Sequence, residues 1–195
     1  MKSLFYLMGK SSSGKDTIYK HIMCDMGLGL KPLVPYTTRP RREGEVEGRE
    51  YRFVSREQFE VMKEAGEVAE YRVYNTVHGE WIYFTAFEKQ VLESKDSYIV
   101  IGTLESYVST IKALPEERIC PIYIELDDGE RLARALARER KQVNPRYKEM
   151  CRRYLADSED FAEEKLKEAG LTRRFYNNVL NECVEEVRNY IRENM

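Results

Sequence analysis

The strongest chemical signal in the sequence is a glycine- and serine-rich turn near the N-terminus, which we name the phosphate loop. It reads Gly9-Lys10-Ser11-Ser12-Ser13-Gly14-Lys15-Asp16-Thr17 and nearly matches the pattern G-x-x-x-x-G-K-[ST]. Glycine lets backbone N–H groups turn inward around phosphate oxygens, and the N-terminus of a following helix adds positive potential. Lys15 reaches the β- and γ-phosphates in such loops. The pattern therefore predicts an ATP site that involves the whole run.

One position departs from this pattern. Asp16 stands where a Ser or Thr hydroxyl normally contributes to the shell of a Mg²⁺ ion. A carboxylate can bind the metal directly, since Mg²⁺ prefers oxygen ligands. Alternatively, Asp16 only stabilises the positive end of a helix, and Thr17 or water serves the metal. Asp16 and Thr17 are therefore the two candidate metal ligands.

A second segment, residues 32–53, mixes arginines with glutamates and predicts exposed short strands and turns. It contains Tyr36-Thr-Thr-Arg39-Pro-Arg-Arg42, then Glu43-Gly-Glu45, then Gly48-Arg-Glu-Tyr51-Arg-Phe53. Together with the phosphate loop, this segment resembles the guanylate kinase family. The family pattern is T-T-R, a basic residue three positions on, G-E, and then G-x-x-Y-x-F. The resemblance implies a P-loop kinase that uses Mg²⁺ and transfers phosphate from ATP to a nucleoside monophosphate, GMP first.

The resemblance also implies roles for single residues of the acceptor site. Arg39, Arg42 and Tyr51 would hold the monophosphate, because guanidinium forks and a phenol suit phosphate oxygens. Glu70 would accept hydrogen bonds from the N1–H and N2–H₂ edge of guanine. His78 would stack on the acceptor or donate to its phosphate.

On the ATP side, the resemblance assigns residues of the phosphate loop and of a basic helical region. Lys15, Arg138 and Arg153 would be the catalytic cations, because phosphoryl transfer depends mainly on positioning and charge neutralisation. Asn177 would face the adenine. An alternative interpretation of the basic region is a solvated helix with alternating charges, which Glu139 and Glu149 favour.

Three departures fall on the base-binding half of the family pattern. Pro35 replaces a serine that contacts guanine. The family's tyrosine-glycine-serine/threonine run is read as His78-Gly79-Glu80, and Gly102 stands where the family has an acidic residue. The phosphate half of the acceptor pocket is thus kept, and the base half is altered.

Two other functions stay open for these residues. Ribose bisphosphate phosphokinases also carry Asp after the loop lysine, and they lack the same acidic residue, although segment 39–51 does not resemble theirs. A catalytically inactive guanylate kinase-like module that binds phosphopeptides is the other alternative. The intact phosphate loop argues against it.

The elements that must position these residues alternate between strands and helices. Short apolar runs at 2–8, 98–101 and 121–126 predict buried strands, and amphipathic segments between them predict helices. This alternation predicts an α/β fold with a parallel sheet flanked by helices. We also expect a helix at 85–94, one long helix from Asn144-Pro145 through Leu166, and a last strand at 175–176.

We expect one domain over residues 1–195. Its core would comprise about 1–31, 90–130 and 171–195. A small β-rich insert at about 32–89 would bind the acceptor. A helical lid at about 131–170 would close over ATP.

Composition narrows the class of protein. The 195 residues carry a net charge of −2 from 32 basic and 34 acidic side chains, which argues against a general nucleic-acid binder. No apolar run approaches the roughly 18 residues of a membrane span. Four separated cysteines and two histidines favour reduced thiols over disulfides or zinc. We therefore expect a cytoplasmic protein, a monomer or homodimer, whose partners are nucleotides and not nucleic acid or membrane.

Overall fold

A computed structural model of the chain describes residues 4–42, 44–49, 51–76, 79–87, 96–113 and 118–195. Its main sheet is parallel throughout and comprises β1 (Leu4–Met8), β2 (Lys31–Pro32), β7 (Tyr98–Ile101), β8 (Ile119–Glu125) and β9 (Phe175–Tyr176). Their spatial order is β2-β7-β1-β8-β9, so that β1 lies at the centre. The predicted fold class and the last short strand are confirmed.

Helices pack on both faces of this sheet, α1 (Lys15–Met23) and α7 (Leu180–Asn194) on one face and α3 (Leu104–Ala113) and α6 (Glu163–Glu168) on the other. The structure also describes α2 (Arg56–Glu64), α4 (Asp128–Arg140), α5 (Tyr147–Asp160) and a short 3₁₀ turn at Met26–Leu28. Within the described ranges, no helix is long and apolar enough to cross a membrane.

The side chains of β1 pack into two separate apolar cores, one on each face of the sheet, because successive side chains of a strand point to opposite faces. Phe5 and Leu7 pack with Ile18 of α1 and Val187 of α7. Leu4, Tyr6 and Met8 pack on the opposite side with α3 and α6. All five residues of β1 are buried. This burial on both faces fixes the strand that carries the phosphate loop.

A second, smaller sheet lies within the predicted insert. Its strands are β3 (Tyr36–Thr37), β4 (Arg52–Phe53), β5 (Val68–Thr76) and β6 (Gly79–Ala86), in the order β4-β3-β6-β5. Phe59 of α2 and Phe84 of β6 form its core, with ring centroids 4.9 Å apart. Ser55 caps α2 as the capping-box pattern predicts. The division into core, insert and lid remains a prediction that this layout supports.

Two predicted helices are wrong in part. Thr85 lies in strand β6 rather than at a helix start, and positions 88–94 of that prediction lie outside the described residues. The long helix after Pro145 ends at Asp160, because Phe161 adopts a non-helical backbone. The Phe161 ring stacks on Tyr123 with centroids 5.7 Å apart. Burial of this ring against β8 thus outweighs continuation of the helix.

Candidate active site

The phosphate loop connects β1 to α1 and is supported from behind by Asn177. Gly14 has a left-handed backbone with φ of 90°. A Cβ there would collide with Nδ2 of Asn177, so only glycine fits. The same Nδ2 donates a 2.7 Å hydrogen bond to the carbonyl oxygen of Ser13. Asn177 is 2% exposed, so the residue predicted to face adenine acts in this structure on the shape of the loop.

The first half of the loop is tied to the lid. The backbone N–H of Ser11 donates to Oδ2 of Asp157 at 2.8 Å, and Nη1 of Arg131 donates to the Ser11 carbonyl at 3.1 Å. Nζ of Lys10 pairs with Asp128 at 3.2 Å. Arg131 is 1% exposed and also pairs with Asp128 at 2.9 Å. The position of α4 and α5 is therefore coupled to the conformation of the loop.

Helices α4 and α5 also line a cavity of about 410 Å³ beside the phosphate loop, which we name the lid cavity. Ser11 and Ser12 line it from the loop, and Arg138 and Arg153 line it from α4 and α5. Nε of Arg153 donates to Glu149 at 3.1 Å. The two arginines predicted to act on ATP thus share one cavity with two loop serines.

Arg152, the neighbour of Arg153, faces a different cavity. Its Nε and Nη2 donate to Glu149 at 2.8 and 2.7 Å, and these bonds lower the pKa of Glu149 to about 2. Arg152 lines a cavity of about 520 Å³, which we name the acceptor cavity, together with Lys15. Sequence reasoning named Arg153 and missed Arg152, because only the rotation of the helix separates them.

The acceptor cavity joins the phosphate loop to the small sheet. Lys15 and Arg152 contribute two cations, and Arg42 and Tyr51 of the arginine-rich segment line it as well. Tyr83 of β6 adds a second phenol, with its ring 5.5 Å from that of Tyr51. Arg72, Tyr6 and Tyr74 line the cavity as well, so that it carries four cations and four phenols, a set that suits a phosphate monoester. Arg42 and Tyr51 were predicted for this role, and Tyr83 was not.

Arg39 supports this group from inside the protein. It is 3% exposed, and its two Nη atoms bind the two carboxylate oxygens of Glu45 at 2.7 and 2.5 Å. Its Nε donates to the Tyr83 hydroxyl at 3.0 Å. Glu45 also accepts the backbone N–H of Arg42 at 2.8 Å, and the bond from Arg39 lowers the pKa of Glu45 to about 2. In this structure Arg39 thus positions the phosphate-binding residues rather than lining the cavity.

The other end of the acceptor cavity is built by one face of the β5–β6 hairpin. Glu70, Arg72 and Tyr74 pair in register with Thr85, Tyr83 and Trp81. Thr85 donates to Oε1 of Glu70 at 2.8 Å, and Nε of Arg72 lies 3.3 Å from Oε2. Burial raises the pKa of Glu70, although Arg72 and the Thr85 bond act in the opposite direction.

Tyr6 fills the space beside Gly102 at the same end. Its hydroxyl shares a 2.6 Å hydrogen bond with Ser106, and burial raises its pKa to about 12. A Cβ on residue 102 would lie 2.6 Å from Cζ of Tyr6. Pro35 lines the cavity too. The phenol of Tyr6 and the guanidinium of Arg72 therefore both line this cavity.

Glu80 of the run His78-Gly79-Glu80 does not line this cavity. His78 lies outside the described residues. Glu80 is half exposed and pairs with Arg56 of α2 at 2.5 Å. Tyr83 and Thr85 of β6 line the cavity instead of Glu80, whereas the role of His78 remains a prediction.

The candidate metal ligands lie at the start of α1. The Asp16 carboxylate is 73% exposed and lies 3.7 Å from Nζ of Lys15, and Thr17 is exposed. No group of three or more His, Cys, Asp or Glu side chains suited to a metal occurs among the described residues. An exposed carboxylate beside the phosphate-loop lysine fits Mg²⁺, which is commonly held by one or two carboxylates and by phosphate oxygens.

A parallel sheet, a phosphate loop after its central strand and a helical lid tied to that loop define a P-loop kinase. The Guanylate kinase family model matches residues 1–194. The chain belongs to the guanylate kinase family.

Individual relatives agree with this assignment. The guanylate kinase of Nocardia farcinica is 34% identical over 167 residues, which cover 81% of this chain and 82% of that protein. The Rhodopseudomonas palustris (strain HaA2) guanylate kinase is 43% identical over 77 residues, or 39% of this chain. The match covers 34% of the length of that protein and 35% of the length of the Enterococcus faecalis guanylate kinase. The chain thus spans about a third of each of these two relatives.

A solved structure shows the same fold. The guanylate kinase of Anaplasma phagocytophilum superposes with a TM-score of 0.63 at 19% sequence identity. The match covers 98% of this chain and 85% of that chain.

Proposed function

We propose that this chain transfers the γ-phosphate of ATP to GMP and releases ADP and GDP. The observation that carries the proposal is the acceptor cavity, which Lys15 of the phosphate loop lines together with Arg42, Tyr51 and Arg152. A donor phosphate on the loop and an acceptor phosphate in the cavity would meet at Lys15. The relatives named guanylate kinase and the family match support GMP as the acceptor.

Each residue has a physical role in this proposal. The backbone of residues 9–14 and Lys15 would hold the β- and γ-phosphates. Arg138 and Arg153 would neutralise the triphosphate from the lid cavity, and Arg152 would neutralise the group in transit between the two nucleotides. Since phosphoryl transfer requires little beyond positioning and charge stabilisation, no general base is needed.

The acceptor's phosphate would be bound by Arg42, Tyr51 and Tyr83. Arg39 and Glu45 would hold these groups in place. The acceptor's base would lie toward Glu70, which the family resemblance assigns to guanine.

Mg²⁺ would bind through Asp16 and the phosphate oxygens, with Thr17 as the alternative protein ligand. When bound, it would neutralise charge on the β- and γ-phosphates. Asp16 supports this because its carboxylate is exposed next to Lys15.

A sugar-phosphate kinase, with a ribose bisphosphate as the acceptor, is the second candidate. Gly102 favours it, because this position offers no carboxylate to a guanine amino group. The cluster of Arg42, Tyr51 and Tyr83 favours a nucleoside monophosphate. We also propose a cytoplasmic location and a monomer or homodimer; the four free cysteines support the first of these.

The test is a coupled ADP-release assay over GMP, dGMP, AMP, UMP, CMP and ribose bisphosphate. We expect ADP release to depend on GMP and on Mg²⁺. Release with ribose bisphosphate alone would favour the second candidate. Saturable GMP binding without ADP release would indicate a non-catalytic binding module.

A further inference from the structure

The carboxylate of Glu70 is enclosed by protein. Its side chain is 1% exposed, and its two oxygens face Thr85 Oγ1 at 2.8 Å and Arg72 Nε at 3.3 Å. Arg72 lines the acceptor cavity, and Glu70 is not part of its lining. A base in this cavity therefore meets the Arg72 guanidinium before it meets the Glu70 carboxylate.

Arg72 contacts two residues and still has donors to offer. Its Nε lies 3.3 Å from Glu70 Oε2 in an ion pair without a hydrogen bond, and its Nη1 donates to Thr103 Oγ1 at 3.1 Å. A guanidinium carries five N–H donors, two of them on Nη2. Within the described part of the chain, Nη2 has no recorded partner, and the Arg72 side chain is 17% exposed. A guanidinium that is contacted through Nε and Nη1 and keeps free donors on Nη2 is suited to bind a pair of acceptor atoms on a ligand.

We propose that Arg72 reads the O6 and N7 atoms of a 6-oxopurine, with Glu70 as the residue that positions Arg72. This inference rests on the proposed function. Arginine binds O6 and N7 of guanine with two hydrogen bonds, whereas adenine presents an amino donor at position 6 that opposes the guanidinium. The acceptor class is then the 6-oxopurine nucleoside monophosphates, IMP as well as GMP.

The proposal differs from direct reading of guanine by Glu70 in a measurable way. A carboxylate reader binds N1–H and N2–H₂, so loss of the 2-amino group in IMP would weaken binding strongly. An Arg72 reader is indifferent to the 2-amino group and sensitive to N7.

The experiment is calorimetric titration of the full chain with GMP, IMP, 7-deaza-GMP and AMP. 7-Deaza-GMP replaces N7 by C–H and leaves the other edge intact. On the wild type we expect IMP within about threefold of GMP, and 7-deaza-GMP and AMP each about tenfold weaker or more, as one lost or opposed base contact implies.

Variants test whether Arg72 causes this difference in affinity among the four nucleotides. Arg72→Ala alone leaves the Glu70 carboxylate buried without its partner, so the double variant Glu70→Gln with Arg72→Ala is the safer form. We expect this double variant to bind GMP and 7-deaza-GMP within about twofold of each other, because the N7 contact is absent. Arg56→Ala, which removes an exposed arginine paired with Glu80, is the control and should keep the wild-type pattern.

The outcomes separate this inference from the proposed function. If the wild type binds GMP but does not distinguish 7-deaza-GMP, or binds IMP far more weakly than GMP, Arg72 is not the reader and the proposed function stands. If the wild type binds none of the four nucleotides, the proposed function itself fails.

Discussion

The ring of Tyr6 occupies the space that a side chain on residue 102 would need. Cζ of Tyr6 lies 2.6 Å from the position of a Cβ there, and the phenol oxygen lies closer still. The phenol is anchored by its hydrogen bond to Ser106, which it would lose on moving away from residue 102. Tyr6 and Gly102 are therefore a matched pair that shapes the base end of the acceptor cavity.

This pairing predicts a strong interaction between two substitutions. Gly102→Asp, which installs the acidic residue of the family pattern, should lower stability by about 1–3 kcal/mol because of overpacking against Tyr6. Tyr6→Val removes the obstructing ring, so the double variant should be more stable than the sum of the two single effects predicts. Denaturant titration of all four proteins measures this. Additive single effects would mean that residue 102 has room beside the phenol.

The arginine-rich segment should divide into binding and positioning residues. Arg42→Ala and Tyr51→Phe should weaken GMP binding by about tenfold without changing ATP affinity, because both line the acceptor cavity. Arg39→Ala should instead cost about 3 kcal/mol of stability, since it leaves Glu45 without its buried partner. Separate titrations with each nucleotide and thermal melts of the three variants give the answer. Weaker ATP binding in Arg42→Ala would move this residue to the donor side.

The same ion pair predicts a pH dependence. The pKa of Glu45 in the folded protein is about 2, below its unfolded value, so its stabilising effect is complete above the unfolded pKa. It is lost as the pH falls from about 5 toward 2. Glu45→Gln should therefore reduce stability at pH 7 and flatten the acid limb of the profile.

Glu149 supplies the matched control, because its pKa is also about 2 but its arginine partners are exposed. An exposed ion pair contributes about 0–1 kcal/mol, so Glu149→Gln should change the profile less than Glu45→Gln. Urea titrations at pH 7, 5 and 3 compare the two. Equal profiles would show that burial of the Arg39–Glu45 pair adds nothing.

Asp16 should change how the protein uses metal. A carboxylate binds Mg²⁺ more strongly than a hydroxyl does, and its charge repels the β-phosphate when metal is absent. Asp16→Ser should therefore raise the Mg²⁺ concentration needed for half-maximal rate and strengthen ATP binding in EDTA. Rate measurements over a Mg²⁺ series and titration of metal-free ATP test the two signs independently. If neither changes, Asp16 only stabilises the start of α1.

The sequence predicted those parts of the fold and site that depend on contiguous residues. The phosphate loop, the buried strands and the positions of Arg42 and Tyr51 follow from local patterns, because neighbouring residues fix each of them. The start of α2 was predicted for the same reason.

The parts that were missed depend on register and rotation. Tyr83 and Thr85 reach the cavity because β6 pairs with β5 in the register that places them opposite Arg72 and Glu70, and nothing local sets that register. Arg152 and Arg153 differ by about 100° around α5, which a loose alignment does not resolve. The contact between Arg72 and the buried Glu70 carboxylate could not be predicted from the sequence. Two opposite charges two residues apart on a strand are equally typical of an exposed pair in solvent.

The central claim is tested most directly by ³¹P NMR of the full chain with ATP, GMP and Mg²⁺, beside the variant Lys15→Ala. The account predicts ADP and GDP in equal amounts from the wild type, and a rate at least about a hundredfold lower in Lys15→Ala with an unchanged melting temperature. Lys167→Ala, an exposed lysine on α6, should behave as the wild type. Equal rates in the wild type and Lys15→Ala, or ADP with free phosphate and no GDP, would contradict it.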